Sequence, residues 1–297
     1  MSSIHEPVLL QEVLEFLDPR PGKNFIDATL NGGGHTRALV ERIMPQGRVL
    51  GIEWDPEVAK MAAERAAQSL YENNIIVVND SYVNMSSIAE RFHFRPDGIL
   101  FDLGLSSWHY ESSGRGFSFK RDEPLDMRFN SAAGPSAAEL INTYEVAELE
   151  QILRDYGDEQ FSHPIAAAIG KARRKKPIMT VPELVAVVES AVPNWYKHRK
   201  IHFATKTFQA LRVIVNDELA NVKIGILAAI DLLPSGGKLA VISFQGHEDK
   251  IVRELFKQKT KEGIIEIPIK RTIRPKWEEQ KINPRSRSAK MKVALKI

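Results

Sequence analysis

Four acidic or polar segments that could bind a nucleoside follow apolar runs in the first hundred residues. Residues 27–34 contain three consecutive glycines, which allow the backbone to approach a ligand closely. Glu53 comes 26 residues after Asp27, where a carboxylate can accept hydrogen bonds from both hydroxyls of a ribose. Residues 79–82 follow a third apolar run, where an adenine ring would lie, and Asp102 ends a fourth. Together these residues predict a nucleoside pocket.

The glycine loop distinguishes between two classes of nucleoside cofactor. A nicotinamide dinucleotide requires the pattern G-x-G-x-x-G, whereas residues 31–36 are Asn-Gly-Gly-Gly-His-Thr, with threonine where the third glycine should be. Asp27 lies four residues before the loop, where a carboxylate suits the ammonium group of a methionine moiety. These residues favour S-adenosylmethionine over a dinucleotide.

Alternating strands and helices would position these residues at one edge of a sheet. Short apolar runs separated by helical patterns predict a parallel sheet with helices on both faces. Asp55 and Pro56 are typical of a helix start. The predicted strands are residues 24–29, 48–53, 75–78, 97–102, 238–244, 264–267 and 291–295.

The alternation is interrupted in the middle of the chain. Residues 104–136 are rich in Gly, Ser, Pro and charge, and the following segment to about residue 192 has helical patterns alone. We therefore predict a Rossmann-like α/β domain formed by residues 1–112 and 205–297. An inserted helical domain, residues 113–204, is expected to recognise the substrate.

The composition excludes several chemistries. The chain has no cysteine, which excludes disulfides, cysteine zinc sites, iron–sulfur clusters and a cysteine nucleophile, and fits a reducing compartment. Residues 1–7 lack the pattern of a secretory signal, and no run approaches the roughly 18 apolar residues of a membrane span. We expect a cytoplasmic protein that is not a membrane protein. No metal is required by the predicted chemistry.

Positive charge is concentrated in three segments, although the net charge is only +3. Residues 270–296 carry ten Lys and Arg against two acids. Residues 171–176 and 197–200 are two further basic clusters. Each cluster alone could be a solvated surface, but the three together favour an anionic polymer as partner.

Several longer segments carry a family resemblance over nearly the whole chain. They are HEPVLL at residues 5–10, the glycine loop ending at His35, DGILFDLGLSS at 97–107, RGFSF at 115–119, PLDMR at 124–128, ATKTFQALRVIVNDEL at 204–219 and NPRSRSAK at 283–290. The chain closely resembles the MraW-type family of bacterial ribosomal RNA methyltransferases. The resemblance implies a class I methyltransferase fold that uses S-adenosylmethionine to methylate the exocyclic N4 of a cytosine in 16S ribosomal RNA, in the decoding centre. The implied partner is that RNA or the small ribosomal subunit.

The same resemblance assigns the cofactor pocket residue by residue. Gly33, Gly34 and His35 would line the methionine end of the cofactor. Glu53 would hold the ribose, where the family more often has Asp, and Tyr82 would pack on the adenine, where the family often has Phe. The first glycine of the family loop is Asn here, a residue that tolerates positive φ.

Three further residues are candidates for the reactive side of the pocket. Asp102 would lie beside the reacting centre of the cofactor, and His109 occupies a family position that is often Gln. A cytosine amino group is a weak nucleophile, so catalysis needs positioning and a hydrogen-bond acceptor for its N–H. Asp102 is the first candidate for that acceptor, and Asp126 is the second.

Polar and aromatic residues beyond position 110 are candidates for RNA binding. Arg115 and Arg128 could bind phosphates, while Phe117 could either stack on a base or anchor its loop. Arg212 and Asn216 are four residues apart on one helix face, which could line the catalytic cleft, or Arg212 could pair with a carboxylate. The candidates in the basic tail are Arg285 and Arg287.

Two other functions and one departure from the family pattern stay open at this level. The alternatives are an RNA-binding ribosome-assembly factor without turnover, and an amino methyltransferase that acts on DNA or another RNA. Residues 245–247 are Gln-Gly-His where the family usually has His-Ser-Leu. The sequence leaves the oligomeric state undecided, a dimer included.

Overall fold

The computed structural model describes residues 7–297 and divides them into two compact units. The α/β unit comprises the described part of Met1–Leu105 together with Leu219–Ile297. The helical unit comprises Ser106–Glu218. It begins earlier and ends later than the insertion expected at residues 113–204.

Within the described residues, seven strands form one sheet in the α/β unit. They are β1 (Phe25–Asp27), β2 (Val49–Glu53), β3 (Ile75–Asn79), β4 (Gly98–Asp102), β5 (Lys238–Ser243), β6 (Ile265–Glu266) and β7 (Lys290–Lys296). The strand order is β3-β2-β1-β4-β5-β7-β6. Strands β1 to β5 are parallel, whereas β7 is antiparallel to β5 and β6. The predicted strands and the mostly parallel sheet are confirmed.

Alternate residues of each inner strand point to opposite faces of the sheet, and both faces are buried. Ile26 and Phe101 belong to one apolar cluster. Their neighbours in sequence, Phe25 and Leu100, belong to a second cluster. Each face is covered by helices of the α/β unit, so the inner strands read as continuous apolar runs rather than as an alternating pattern.

Fourteen helices occur in the described part of the chain. They are α1 (Leu10–Leu17), α2 (Gly34–Ile43), α3 (Pro56–Ala67), α4 (Met85–Arg91), α5 (Ser107–Glu111), α6 (Ala137–Thr143), α7 (Val146–Gly157), α8 (Ser162–Arg173), α9 (Val181–Ala191), α10 (Asn194–Lys197), α11 (Thr205–Val215), α12 (Glu218–Leu232), α13 (Gly246–Lys261) and α14 (Trp277–Ile282). Helices α5 to α11 belong to the helical unit. The others surround the sheet, except that the first residue of α12 lies in the helical unit.

Local sequence explains several helix starts. The Asp55 carboxylate accepts hydrogen bonds from the N–H groups of Glu57 and Val58, at 2.9 and 3.4 Å, and Pro56 is the first residue of α3. This confirms the predicted start. The patterns described above did not predict α1, α4 or α13. Gln245 and Glu248 form reciprocal capping bonds at the start of α13, a capping pair without the usual Ser or Thr.

His5 and Glu6, which open the family-like segment, lie outside the described residues. None of the helices in residues 7–297 combines the length and the apolar character that crossing a membrane requires.

A close helix contact organises the helical unit. Gly157 is the last residue of α7 and faces α11. A Cβ atom built at Gly157 would lie 2.5 Å from the carbonyl oxygen of Lys206 and 3.1 Å from the Cβ of Ala210. Both neighbours belong to the backbone or sit directly on it, so they cannot move aside as a flexible side chain could. The absence of a side chain at Gly157 therefore permits the close approach of α7 and α11.

The variant Gly157→Ala tests this contact. The added methyl group must push α7 and α11 apart, so we expect a loss of about 1–3 kcal/mol in the free energy of unfolding. Gly246→Ala is the matched control, because a Cβ there meets no atom within 4 Å; its effect should stay within about 0.5 kcal/mol. Urea denaturation of the two variants provides the measurement. Equal midpoints for both would contradict the packing described.

Candidate active site

The predicted cofactor residues of the α/β unit meet at the carboxyl ends of the parallel strands. Asp27, Glu53 and Asp102 are the last residues of β1, β2 and β4. The chain runs from β1 outward through β2 to β3 and then returns to place β4 on the other side of β1. The crevice beside β1 and β4 is therefore the topological switch point, where open α/β sheets bind their ligands.

The glycine loop has the backbone conformation that the sequence predicts. Asn31 has a φ of 47° and Gly33 a φ of 76°, so both occupy the left-handed region. Gly33 is the residue that precedes the first turn of α2. A Cβ at Gly32 would meet nothing within 4 Å, while one at Gly34 would lie 2.7 Å from the ring of Pro7. The loop is thus open at Gly32 and closely packed at Gly34.

The Glu53 carboxylate connects the end of β2 to this loop. One oxygen accepts the Asn31 N–H at 2.8 Å, and the other accepts the Asp55 N–H at 2.9 Å. Burial raises the pKa of Glu53 to about 7, although both backbone hydrogen bonds act to lower it. A carboxylate has about four acceptor positions, so the remaining lone pairs can still accept ribose hydroxyls.

Asp27 is held inside the site by two neighbouring threonines. Its side chain is 1% exposed, and its Oδ2 accepts the hydroxyl of Thr36 at 2.7 Å. Its Oδ1 accepts the N–H of Thr29 at 3.3 Å. Burial raises the pKa of Asp27, while the nearby His35 and the bond from Thr36 act to lower it. Asp27 is therefore tied into the framework of the loop.

His35 and Asp102 form a partly satisfied pair at the same edge. The His35 Nε2 lies 3.6 Å from the Asp102 Oδ2, at ion-pair distance. Burial alone would lower the pKa of His35, but the Asp102 carboxylate, with a contribution from Asp27, raises it. Within residues 7–297, neither His35 ring nitrogen nor the Asp102 Oδ1 has a hydrogen-bond partner, and all three atoms are buried. Such atoms are rare in folded proteins, and a bound ligand or water would satisfy these three.

Tyr82 lies beyond the carboxyl end of β3. It belongs to a short 3-10 turn, Tyr82–Asn84, and its ring packs edge-on against Phe101 at 5.4 Å. A Cβ built at Gly225 of α12 would lie 2.5 Å from this ring, so Gly225 allows α12 to pack on Tyr82. The ring is half-buried and leaves part of its surface accessible, as the predicted adenine contact requires.

The aromatic candidates of the helical unit pack on one another. His109 is 2% exposed, and its Nδ1 lies 2.8 Å from the Ser106 hydroxyl. Its ring contacts Phe117 and Phe129, each with centroids 5.3 Å apart. Phe117 is 5% exposed and stacks on Phe129 at 5.6 Å. This arrangement favours the loop-anchoring role for Phe117 over base stacking.

The two arginines of this loop are engaged within the helical unit. Arg115 is 8% exposed, donates to the carbonyls of Arg128 and Phe129, and lies over the ring of Trp108. Arg128 forms a bidentate pair with Asp126, at 2.7 and 2.8 Å. Burial acts to raise the pKa of Asp126, but the bonds from Arg128 lower it below its usual value. The charges of both arginines are thus largely satisfied by the protein itself.

Arg212 and Asn216 lie on one face of α11 and at its end, as their spacing predicts. The Arg212 guanidinium pairs with both oxygens of Glu218, at 2.6 and 2.8 Å. Asn216 is 2% exposed; its Oδ1 accepts the N–H of Phe129, and its Nδ2 donates to the Met127 carbonyl. Of the two roles considered for Arg212, the structure favours the carboxylate pair, and Asn216 braces the loop.

The basic tail differs from these arginines at one turn, where its side chains are exposed. Arg285 and Arg287 belong to a 3-10 turn, Pro284–Ser288, and both are exposed. Further along, Asp249 of α13 lies within ion-pair distance of Lys290 and Lys292, at 3.5 and 2.9 Å. The lysines of β7 therefore stabilise the unit, while the arginines of the turn face solvent.

Sequence reasoning did not assign a role to Thr29 and Thr36. The Thr29 hydroxyl accepts the N–H of Asp102 at 2.6 Å, and Thr36 donates to Asp27. Asn31 also donates to the carbonyl of Asp102, at 3.4 Å. The only sequence signal for this role is that threonine and asparagine side chains, which can form hydrogen bonds, lie within ten positions of Asp27. These residues position both acids.

An open cavity with a volume of about 410 Å³ lies at the opposite, amino-terminal edge of the sheet. It is lined by residues that include Lys23, Asp97 and Lys238. The Lys23 ammonium and the Asp97 carboxylate already pair there at 2.7 Å. Ligands of open α/β sheets bind at the carboxyl edge, so this opening is not the candidate site.

The fold and the carboxyl-edge site together define a class of protein. A parallel sheet with a switch point between β1 and β4, a glycine loop after β1 and an acid at the end of β2 is typical of nucleoside-binding Rossmann-like proteins. Two features separate the class I methyltransferases within this group. The glycine loop lacks the dinucleotide pattern, and the last strand, β7, is antiparallel to its neighbour β5. The chain has this class I, Rossmann-like methyltransferase fold.

The chain belongs to the MraW methylase family, whose model matches residues 2–297. It is 44% identical to the ribosomal RNA small subunit methyltransferase H of Deinococcus deserti, covering 100% of this chain and 94% of that protein. The proteins of the same name from Dehalococcoides mccartyi and Persephonella marina are 42% and 41% identical. Those comparisons cover 99% of this chain, and 86% and 99% of the relatives. The protein is a methyltransferase.

Solved structures resemble the chain more distantly. An rRNA methylase from Streptococcus thermophilus covers 99% of both chains with a TM-score of 0.44 and 11% identity. An O-methyltransferase from Bacillus cereus in complex with SAH covers 97% of this chain and 79% of its own, with a TM-score of 0.47 and 9% identity.

The raised pKa of Glu53 predicts a pH-dependent stability. The folded protein binds the Glu53 proton more tightly than the unfolded chain, so this contribution is complete below about pH 4.5 and is lost as the pH rises through about 7. The shift corresponds to about 3 kcal/mol. Glu53→Gln should remove it and flatten the dependence between about pH 5 and pH 8.

Urea unfolding of the ligand-free protein at several pH values measures this effect. The comparison concerns the slope against pH, because Glu53→Gln also loses one acceptor for the two backbone N–H groups and is destabilised at every pH. Parallel curves for the variant and the unmodified protein would show that Glu53 is not the group responsible.

Proposed function

We propose that this protein transfers the methyl group of S-adenosylmethionine to the exocyclic N4 of a cytidine in 16S ribosomal RNA, in the decoding centre. The observation that carries the proposal is the identity of about 40% along the whole chain to proteins named ribosomal RNA small subunit methyltransferase H. The residues at the carboxyl edge of the sheet support the same chemistry. Since the proposed substrate is ribosomal RNA, we also propose a cytoplasmic enzyme.

The carboxyl-edge site fits S-adenosylmethionine. The open side of the loop at Gly32 and the unpartnered buried atoms of His35 and Asp102, judged within residues 7–297, are features that a ligand would complete. Gly33, Gly34 and His35 would hold the methionine part. Glu53 would accept the ribose hydroxyls, and Tyr82 would pack on the adenine. His109 is a separate candidate, which packs on Phe117 and Phe129 of the helical unit. The bound cofactor supplies a methyl group on a positively charged sulfur.

The first task of the protein is to orient a weak nucleophile. The lone pair of the cytosine amino group is delocalised into the ring, so the attacking nitrogen must be held in line with the methyl group. A hydrogen bond from the amino N–H to an anionic acceptor increases the electron density on that nitrogen. After methyl transfer, the nitrogen carries one proton too many, and an acceptor must remove it.

Asp102 is better suited than Asp126 to act as this acceptor. Its Oδ1 has no hydrogen-bond partner within the described residues, so a lone pair is available for the amino group. The His35 Nε2 lies 3.6 Å from the other carboxylate oxygen, Oδ2, and leaves Oδ1 uncontacted. In contrast, both oxygens of Asp126 bind Arg128, and the pKa of Asp126 is lowered. A carboxylate so engaged is a poor proton acceptor.

The helical unit is proposed to recognise the RNA. Its basic cluster at residues 171–176 includes exposed lysines that can contact phosphates. Arg285 and Arg287 would add phosphate contacts from the tail. Arg115, Phe117, Arg128, Arg212 and Asn216 are proposed to act on RNA through the loop that they hold in shape, since their side chains are engaged within the helical unit.

Substitution of the two candidate acceptors separates their roles. Asp102→Asn keeps the shape but removes the anionic acceptor, so kcat should fall about 10²- to 10⁴-fold at saturating cofactor. Asp126→Asn should lower kcat less than about tenfold, because its partner is Arg128 rather than the substrate. Calorimetry with the cofactor reports any loss of binding separately. A larger kcat loss for Asp126→Asn would reverse the assignment.

The absence of cysteine separates two positions of cytosine at which methylation is considered, carbon 5 and the exocyclic nitrogen. The common route to carbon 5 of cytosine adds a cysteine thiolate to carbon 6, which this chain cannot provide. We therefore expect N4-methylcytidine. With RNA carrying tritium at carbon 5 of cytosine, methylation at nitrogen retains the label. Stoichiometric release of tritium by the purified protein would refute the proposed reaction.

A further inference from the structure

An exposed tryptophan lies beside the third basic cluster, which the proposed catalytic site does not use. Trp195 is 60% exposed on α10 of the helical unit. Residues 197–200 follow it with the sequence Lys-His-Arg-Lys. We call residues 195–200 the Trp195 patch. Tryptophan is enriched in binding surfaces, because its ring is large, flat and rigid.

The Trp195 ring packs against two other aromatic rings, those of Phe161 and Tyr196. Its neighbour Tyr196 is 3% exposed, and the Tyr196 hydroxyl lies 3.0 Å from both carboxylate oxygens of the buried Glu159. Burial, together with the Glu159 charge, raises the pKa of Tyr196 to about 12, so it stays a neutral donor. Phe161 packs edge-on against the rings of both Trp195 and Tyr196. These contacts therefore fix the orientation of the exposed indole ring.

The charges around the indole are available for an anion. Arg199 and Lys200 are exposed, and within the described residues neither forms an ion pair with a carboxylate. Arg199 lies over the Tyr196 ring at 5.0 Å, which places its guanidinium close to the aromatic group. Lys197 lies near Glu189 at 3.8 Å, a distance at which the pairing is weak. The patch thus combines one flat apolar surface with unpaired positive charge.

We propose that the Trp195 patch binds an unpaired stretch of RNA, with one base stacked on the Trp195 ring and the flanking phosphates bound by Arg199 and Lys200. Single-stranded nucleic acids bind to this combination of an aromatic ring and cations, because each nucleotide has a flat base and a charged phosphate. This proposal rests on the proposed function, since the RNA is the same substrate polymer. It adds a contact that the catalytic residues do not provide.

The chemistry of the patch favours an unpaired base over two other partners. In an RNA duplex the faces of the bases are stacked on one another and cannot reach a ring on the protein. A protein partner would favour a continuous apolar surface, whereas the four residues at 197–200, close to Trp195, are all basic or potentially basic. Duplex RNA and self-association are therefore outcomes that the experiment must distinguish.

The experiment measures binding of an unstructured RNA oligonucleotide of about 12 nucleotides to the full chain, without cofactor. Trp195→Ala should weaken binding about tenfold, and Trp195→Phe should stay within about threefold, because it retains a stacking ring. The double variant Arg199→Gln/Lys200→Gln should lower the slope of log affinity against log salt by about 1.4, the value for two phosphate contacts to a single strand. A duplex of equal length should bind without dependence on Trp195.

Matched controls use exposed side chains outside the patch. Leu70→Ala removes an apolar group that is 91% exposed. Lys257→Gln/Lys261→Gln removes two exposed positive charges of α13. Both controls should leave the oligonucleotide affinity within about twofold and the salt slope within about 0.3 of the unmodified protein. Circular dichroism and thermal unfolding confirm that each variant is folded.

Several results would overturn the proposal. These are unchanged affinity in a folded Trp195→Ala variant, an equal loss in the Leu70→Ala control, and a loss of self-association with RNA affinity preserved. Methyl transfer to 16S ribosomal RNA, measured in parallel, tests the proposed function separately. Trp195-dependent oligonucleotide binding without methyl transfer would support the patch and reject that function. Methyl transfer with a KM insensitive to Trp195→Ala would reject the patch alone.

Discussion

The α/β unit depends on keeping two carboxylates buried at the carboxyl edge of its sheet. Asp27 and Glu53 are almost completely removed from water, and burial raises the pKa of each. The compensation comes from donors in and next to the glycine loop, above all the Asn31 N–H and the Thr36 hydroxyl. These hydrogen bonds form in a structure in which Asn31 and Gly33 both adopt the positive-φ conformation. Loop shape and acid position therefore depend on each other.

The hydrogen bonds to the glycine loop distinguish the acidic residues that support the structure from the one proposed to accept a proton. Asp27 and Glu53 are engaged with the loop, whereas Asp102 has a buried oxygen without a partner in residues 7–297 and lies beside His35. Asp126 of the helical unit is neutralised by a bidentate arginine pair. The identity of the amino acid is the same in three of these four cases. Surrounding donors and burial decide which carboxylate supports the structure and which can accept a proton.

The helical unit uses many of its aromatic and basic residues for internal support. Phe117 stacks on Phe129, and Arg115 donates to the carbonyls of the same loop. Charge that is satisfied internally contributes little to binding a polyanion, so RNA contacts are expected from exposed cations. Arg199 of the Trp195 patch and Arg287 are examples, because their side chains are at the surface. Exposure, rather than residue type, separates the two groups.

Features that depend on neighbouring residues can be predicted from the sequence alone. Apolar runs predict the strands, the Asp55 and Pro56 pair predicts the start of α3, and the loop residues indicate a cofactor site. The reversal of β7 and the partners of distant side chains cannot be predicted in this way, because they arise from contacts between remote parts of the chain. Asn216, for example, receives the N–H of Phe129, which is 87 positions away in the chain. Local conformation follows from nearby residues, whereas burial and long-range hydrogen bonds exist only after the chain has folded.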